Sequence, residues 1–150
     1  MNKEIQKIYD CPHEVCVTED KKTVYVLIQE KGKVLTEASA HLHPDDEDFF
    51  SPRVGEHIAL MRAWMFYFEN NYYKYKHEYN LCKQYYDAVI NVQDKDKVDP
   101  TGKFLRKLQK MEKRYKDFKN ERDKVKQELK NFLQESDNFN RKVEKIRGQK

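Results

Sequence analysis

The residues best equipped for chemistry are gathered in His41-Leu42-His43-Pro44-Asp45-Asp46-Glu47. Imidazoles and carboxylates packed this closely are the donor types that hold a divalent cation and move protons. Histidines elsewhere in the chain could complete such a site. Only His13, His57 and His77 remain for that part, and no stretch has the continuous apolar strands of a parallel sheet. The plainer expectation is a polar connector without metal, in which Pro44 breaks a strand and the carboxylates approach a helix N-terminus. A Gly-rich phosphate loop, a nucleophile elbow and a Cys-x-x-Cys pair are all missing. With only four glycines in 150 residues, a loop-lined catalytic pocket is not expected. The chain reads as a binding protein, not an enzyme, and needs no cofactor.

Two apolar seams supply the scaffold for any site. The first runs Ile58, Met61, Met65, Phe68, Tyr72, Tyr75, Tyr79, Cys82, Tyr86 and Val89, with gaps of 3 and 4 in alternation. The second runs Phe104, Leu108, Met111, Tyr115, Phe118, Arg122, Val125, Leu129, Phe132, Ser136, Phe139, Val143 and Ile146 in the same rhythm. A period of 3.5 residues sustained over several heptads marks helices that pack along a coiled-coil seam. The spacing predicts helices of about 35 and about 45 residues, roughly 50 and 65 Å long. They are expected to pair antiparallel across a turn-rich loop near residues 91–102. The longer one overhangs, so Phe139, Val143 and Ile146 should pack on the sheet or on another subunit. Arg122 and Ser136 interrupt the second seam, as residues that set register or oligomeric state do.

Ahead of the hairpin, residues 4–9 and 14–18 show strand-like alternation, and Thr23–Ile28 is the strongest strand pattern. Glu30-Lys31-Gly32-Lys33 predicts a tight turn into a return strand over residues 34–42. Ser51-Pro52 suits a helix start, and Gly148 after Lys145 and Arg147 suits a stop. The expected architecture is α+β in a single domain: an antiparallel sheet over 1–43, a connector over 44–54, and the hairpin over 55–147.

Composition fits long solvated helices. Charged residues make up 37% and the mean hydropathy is −1.07, too polar for a compact α/β enzyme. A lone hairpin buries little surface, so oligomerisation is expected. Residues 101–150 hold 17 Lys/Arg against 8 Asp/Glu, a net of +9, while the first 100 carry 13 against 18, a net of −5. A basic second helix suits an anionic partner or a solvated face. The three cysteines fit a reducing compartment better than a disulfide framework. Neither a signal peptide nor a membrane span is legible. Trp64, Phe66, Tyr67, Tyr73 and Tyr85 widen the aromatic surface beyond the first seam; they suit packing, and with nearby Lys/Arg they suit stacking on a base.

His43-Pro44-Asp45-Asp46-Glu47 resembles the signature of zinc-dependent N-acetylglucosamine deacetylases, where the His and one Asp bind zinc and the other Asp is the base. The large doubly wound domain of that family is not legible in this chain. A second resemblance covers more of the sequence. Ala40-His41-Leu42-His43-Pro44-Asp45-Asp46-Glu47-Asp48, Gly55-Glu56-His57-Ile58-Ala59 with Arg62-Ala63, and Val98-Asp99-Pro100 leading to Phe104-Leu105-Arg106-Lys107 resemble the anti-Thoeris nucleotide sponges of phages. The resemblance implies a homodimer or hexamer that sequesters a host immune signal, a cyclic ADP-ribose isomer or a cyclic oligonucleotide, without cleaving it. It implies action in the cytoplasm of the infected bacterial host and pockets near the helix-connecting loop. On that reading Arg62 and Arg106 contact phosphate, since a planar guanidinium can bind two oxygens at once. Tyr86 or Phe104 stacks on the base, and Asn91 or Asp99 bonds ribose hydroxyls. The alternatives are a coiled-coil inhibitor of a host protein and direct nucleic-acid binding by the basic helix.

Overall fold

The computed structural model describes residues 2–41 and 51–148, apart from the side chains at 95, 138–140, 143, 144 and 147. The His43–Glu47 run and the side chains of Phe139 and Val143 lie outside the described residues. The elements are α1 (Lys3–Asp10), β1 (His13–Val17), β2 (Thr23–Glu30), β3 (Lys33–His41), α2 (Pro52–Val92), α3 (Lys95–Val98) and α4 (Lys103–Gly148). A three-stranded antiparallel sheet followed by long helices makes the protein α+β. The chain forms two compact units, one of Met1–Tyr67 with Arg122–Lys150, the other of Phe68–Glu121.

In the first unit the expected strand over residues 4–9 is instead part of α1. Ile5 and Ile8 are spaced three apart and both are buried, at 3% and 1% exposure. Three-residue spacing puts them on one helical face, whereas in a strand they would point to opposite sides. Asn2 caps this helix, its side chain accepting from the Glu4 amide at 2.8 Å. Lys7 ties it to Glu30 at 2.8 Å, and Tyr9 meets Trp64 edge to face at 4.9 Å.

The sheet has order β1-β2-β3. On its inner face Val24, Val26 and Ile28 are fully buried, paired with Ala40, Ala38 and Thr36. Burying three such side chains contributes about 1.5–3 kcal/mol each. Ala59 and Ala63 of α2 are also fully buried. Their small side chains let Thr36 Oγ1 donate to the Ala63 carbonyl at 2.8 Å. Lys31 (φ 52°) and Gly32 (φ 79°) form the two-residue turn between β2 and β3, matching the positive φ a primed hairpin turn requires at both positions. His57 of α2 stacks edge to face on Phe132 of α4 at 4.6 Å.

The second unit is a helical hairpin. Tyr86 meets Phe104 at 5.2 Å, Tyr79 meets Tyr115 at 5.3 Å, and Tyr75 meets Phe118 at 5.5 Å. Numbers fall on one helix as they rise on the other, so the two run antiparallel. Within this unit no residue of either seam, Phe68 to Val89 and Phe104 to Phe118, is exposed. Arg122, the polar break, belongs to the first unit and donates from Nε and Nη2 to Asp123 Oδ1 at 3.0 and 2.9 Å.

The helices are longer than expected, 41 and 46 residues. Pro52 belongs to the first turn of α2, whose Gly55 amide donates to the Ser51 carbonyl at 3.0 Å, so this helix begins before residue 55. The expected loop over 91–102 also contains the single turn α3.

Candidate functional site

Period-two alternation assigns one face of the sheet to the core and leaves the other to build a site. On that outer face Cys16 pairs with Tyr25, and Tyr25 with Ser39; Leu27 pairs with Glu37, and Thr23 with His41. Helix α2 contributes Arg62 and, one turn later, Phe66, a spacing that puts both on one side of the helix. Together these residues, Thr23 excepted, line a cleft of about 740 Å³. Clefts of roughly 300–1,000 Å³ hold small molecules and cofactors.

Arg62 is the cation of this cleft. Its Nη1 donates to the Ser39 carbonyl at 2.9 Å, which fixes the guanidinium against the edge strand. Tyr25 and Phe66 are 45% and 39% exposed, so aromatic surface is open to a ligand. His41 Nδ1 shares a hydrogen bond with Thr23 Oγ1 at 3.0 Å, and Nε2 lies 3.5 Å from Ser39 Oγ. Glu37 adds a carboxylate that can accept from hydroxyl or amino groups. A guanidinium, two rings and a carboxylate acceptor suit a flat, hydroxylated, phosphate-bearing molecule. Among the described residues, no group of three His, Cys, Asp or Glu could hold a metal ion.

The other anticipated residues belong to the second unit. Asp99 is 8% exposed, and its carboxylate accepts from the Phe104 and Leu105 amides at 3.1 Å each. It therefore caps α4, where the helix dipole favours negative charge. Arg106 donates from Nη1 to the Thr101 carbonyl at 2.8 Å. Gly102, at φ 70°, makes the bend, with Arg106 Nη1 3.4 Å from where a Cβ would stand. Tyr86 and Phe104 stack on each other with an 18° interplanar angle. The Tyr86 hydroxyl is buried and has no hydrogen-bond partner among the described residues. Asn91 is exposed on the last turn of α2. The structure thus brings Tyr86, Asp99, Phe104 and Arg106 together at the loop end of the hairpin, each engaged with its own chain or buried. Arg62 alone lines the sheet cleft.

Sequence reasoning missed Tyr25, Glu37, Ser39 and His41 as a set. The outward positions of β2 and β3 were the available signal, because alternation assigns them to one face once the inward valines are recognised. No protein-family model matches the chain, and no curated protein and no solved structure is similar to it.

Proposed function

We propose that this chain is a non-enzymatic binding protein that captures a phosphate-bearing nucleotide in the sheet cleft of the first unit. The observation that carries this reading is Arg62, anchored on Ser39 and lining a cleft with Tyr25 and Phe66. The guanidinium would take phosphate, a ring would stack on the base, and Glu37 would accept from ribose hydroxyls. In the form suggested by the anti-Thoeris resemblance, the protein is an oligomeric coiled-coil sponge for a cyclic ADP-ribose isomer or cyclic oligonucleotide. It acts in the cytoplasm of the infected host.

Titration calorimetry with cyclic ADP-ribose isomers and cyclic oligonucleotides tests this, followed by mass analysis of ligand released on denaturation. Binding and release of intact ligand are expected. No heat at micromolar protein, or recovery of a cleaved ligand, overturns it. Arg62→Ala and Arg106→Ala locate the site, since loss with the first places it in the cleft and loss with the second at the loop.

A second reading is favoured by α4, where Lys103, Lys107, Lys110, Lys119, Lys124, Lys126 and Lys130 are all exposed. Direct nucleic-acid binding by this helix predicts affinity that falls steeply with salt. A flat response removes it.

A further inference from the structure

Helix α2 has a second face that its pairing with α4 does not use. In the second unit Asn70, Tyr73, His77, Leu81, Gln84, Ala88 and Asn91 are all exposed. At 3.6 residues per turn they fall within an arc of about 80°, centred about 170° from the seam. None is charged, in a chain where 37% of residues are. A solvated helix face ordinarily carries its charges there. Tyr73 and Leu81 are 58% and 53% exposed, and Tyr85 and Val92 beside them are 67% and 83% exposed.

We propose that this face is a contact between two copies of the chain, with the two α2 helices antiparallel about a twofold axis near His77. Self-complementarity identifies the occupant. A twofold axis at His77 sets Tyr73 against the partner copy's leucine at position 81, and Asn70 against its glutamine at position 84. Aromatic thus meets aliphatic and amide meets amide. Lys74 and Glu78 are both exposed and lie on the same flank of the stripe. In an antiparallel pair like flanks face each other, so the axis brings each Lys74 to the other copy's glutamate at position 78, twice by symmetry. Lys76, near the axis on the opposite flank, is turned to Tyr72 Oη at 3.2 Å. The face would bury on the order of 500 Å² per copy, below the roughly 800 Å² of a standard interface. The pair is therefore weak and dependent on concentration.

Sedimentation equilibrium of the full chain, from micromolar to near-millimolar protein, tests the contact. The expected result is a monomer–dimer equilibrium abolished by Leu81→Lys with the circular dichroism of the helices unchanged. A monomer at every concentration overturns the proposal, as does an oligomer indifferent to Leu81→Lys. Charge reversal provides a check that keeps the stripe intact. Lys74→Glu should weaken the dimer, and adding Glu78→Lys should restore it; a double variant no better than the single one counts against the pairing. Orientation is read by oxidation and peptide mapping. His77→Cys should cross-link to its own copy and Asn70→Cys should not, so equal cross-linking of both overturns the antiparallel axis.

Discussion

At the N-terminus of α4, Asp99 holds two backbone amides that the helix itself cannot satisfy. Asp99→Ala removes the acceptor and leaves those part-buried donors without it. The expected cost is about 1 kcal/mol, within the 0.5–2 kcal/mol range of helix caps, read as a lower urea midpoint with unchanged slope. A second polar group reports through pH. The Lys116 ammonium, hydrogen-bonded to Glu112 and attracting it, holds that carboxyl below its ordinary range. Burial, with a smaller contribution from Glu112, pushes the Tyr79 hydroxyl up. Because the folded-state value of Glu112 is depressed, its contribution is present above the unfolded value and lost as pH falls through the folded one. The effect is small, since the pair is exposed. Melting temperature should fall less steeply on acidification in Lys116→Met than in the parent protein; identical acid slopes would remove the attribution.

Elements respond to different substitutions. Lys31 occupies a left-handed conformation in a turn where Asn-Gly is the favoured pair. Lys31→Asn is expected to raise stability by about 0.5–1 kcal/mol, the scale of a relieved backbone strain, and a loss in chemical denaturation would contradict the turn assignment. Where α2 lies on the sheet the tolerance is opposite. Ala63 is fully buried against Thr36, so Ala63→Leu should cost about 1–3 kcal/mol by overpacking. The helices were legible because a 3.5-residue repeat maps directly onto burial: Phe68 and Phe118 sit on their seams and are 0% and 2% exposed. Helix α1 was misread because a short polar segment with apolar residues at 5, 8 and 9 contains fragments of both periods. Its decisive mark, the Asn2 cap, is ambiguous before a helix is assumed. The cleft was harder still. Residues 16, 25, 37, 39, 41 and 62 meet only through the register of three strands and the docking of α2, information that no local window contains. At the loop end, proximity was legible and engagement was not, since a buried Asp reads equally as a cap or as a ligand-binding group.

For the whole molecule, association is the property with the broadest consequence. If two copies pair through α2, unfolding is coupled to dissociation and the melting temperature rises with protein concentration. Leu81→Lys should flatten that dependence without lowering the melting temperature of the dilute protein. A parent protein whose transition is equally insensitive would place the uncharged stripe outside any self-contact. Charge acts at the same scale, since the second helix is basic while most of the acidic residues precede it. No helix among the described residues is long and apolar enough to cross a membrane.

The edge-to-face contact of Tyr9 with Trp64 has a practical corollary. Trp64 is the only indole in the chain, against ten tyrosines, so light at the red edge of protein absorption excites it nearly alone. Its emission is an intrinsic optical gauge of whether α1 is docked, with no label to attach. The near-ultraviolet signal of the seam tyrosines, Tyr75 and Tyr86 stacked on Phe118 and Phe104 and Tyr72 and Tyr79 tilted against Tyr115, reports on the hairpin instead. Two wavelengths on one unmodified sample can therefore time the release of the N-terminal helix separately from the parting of the long ones.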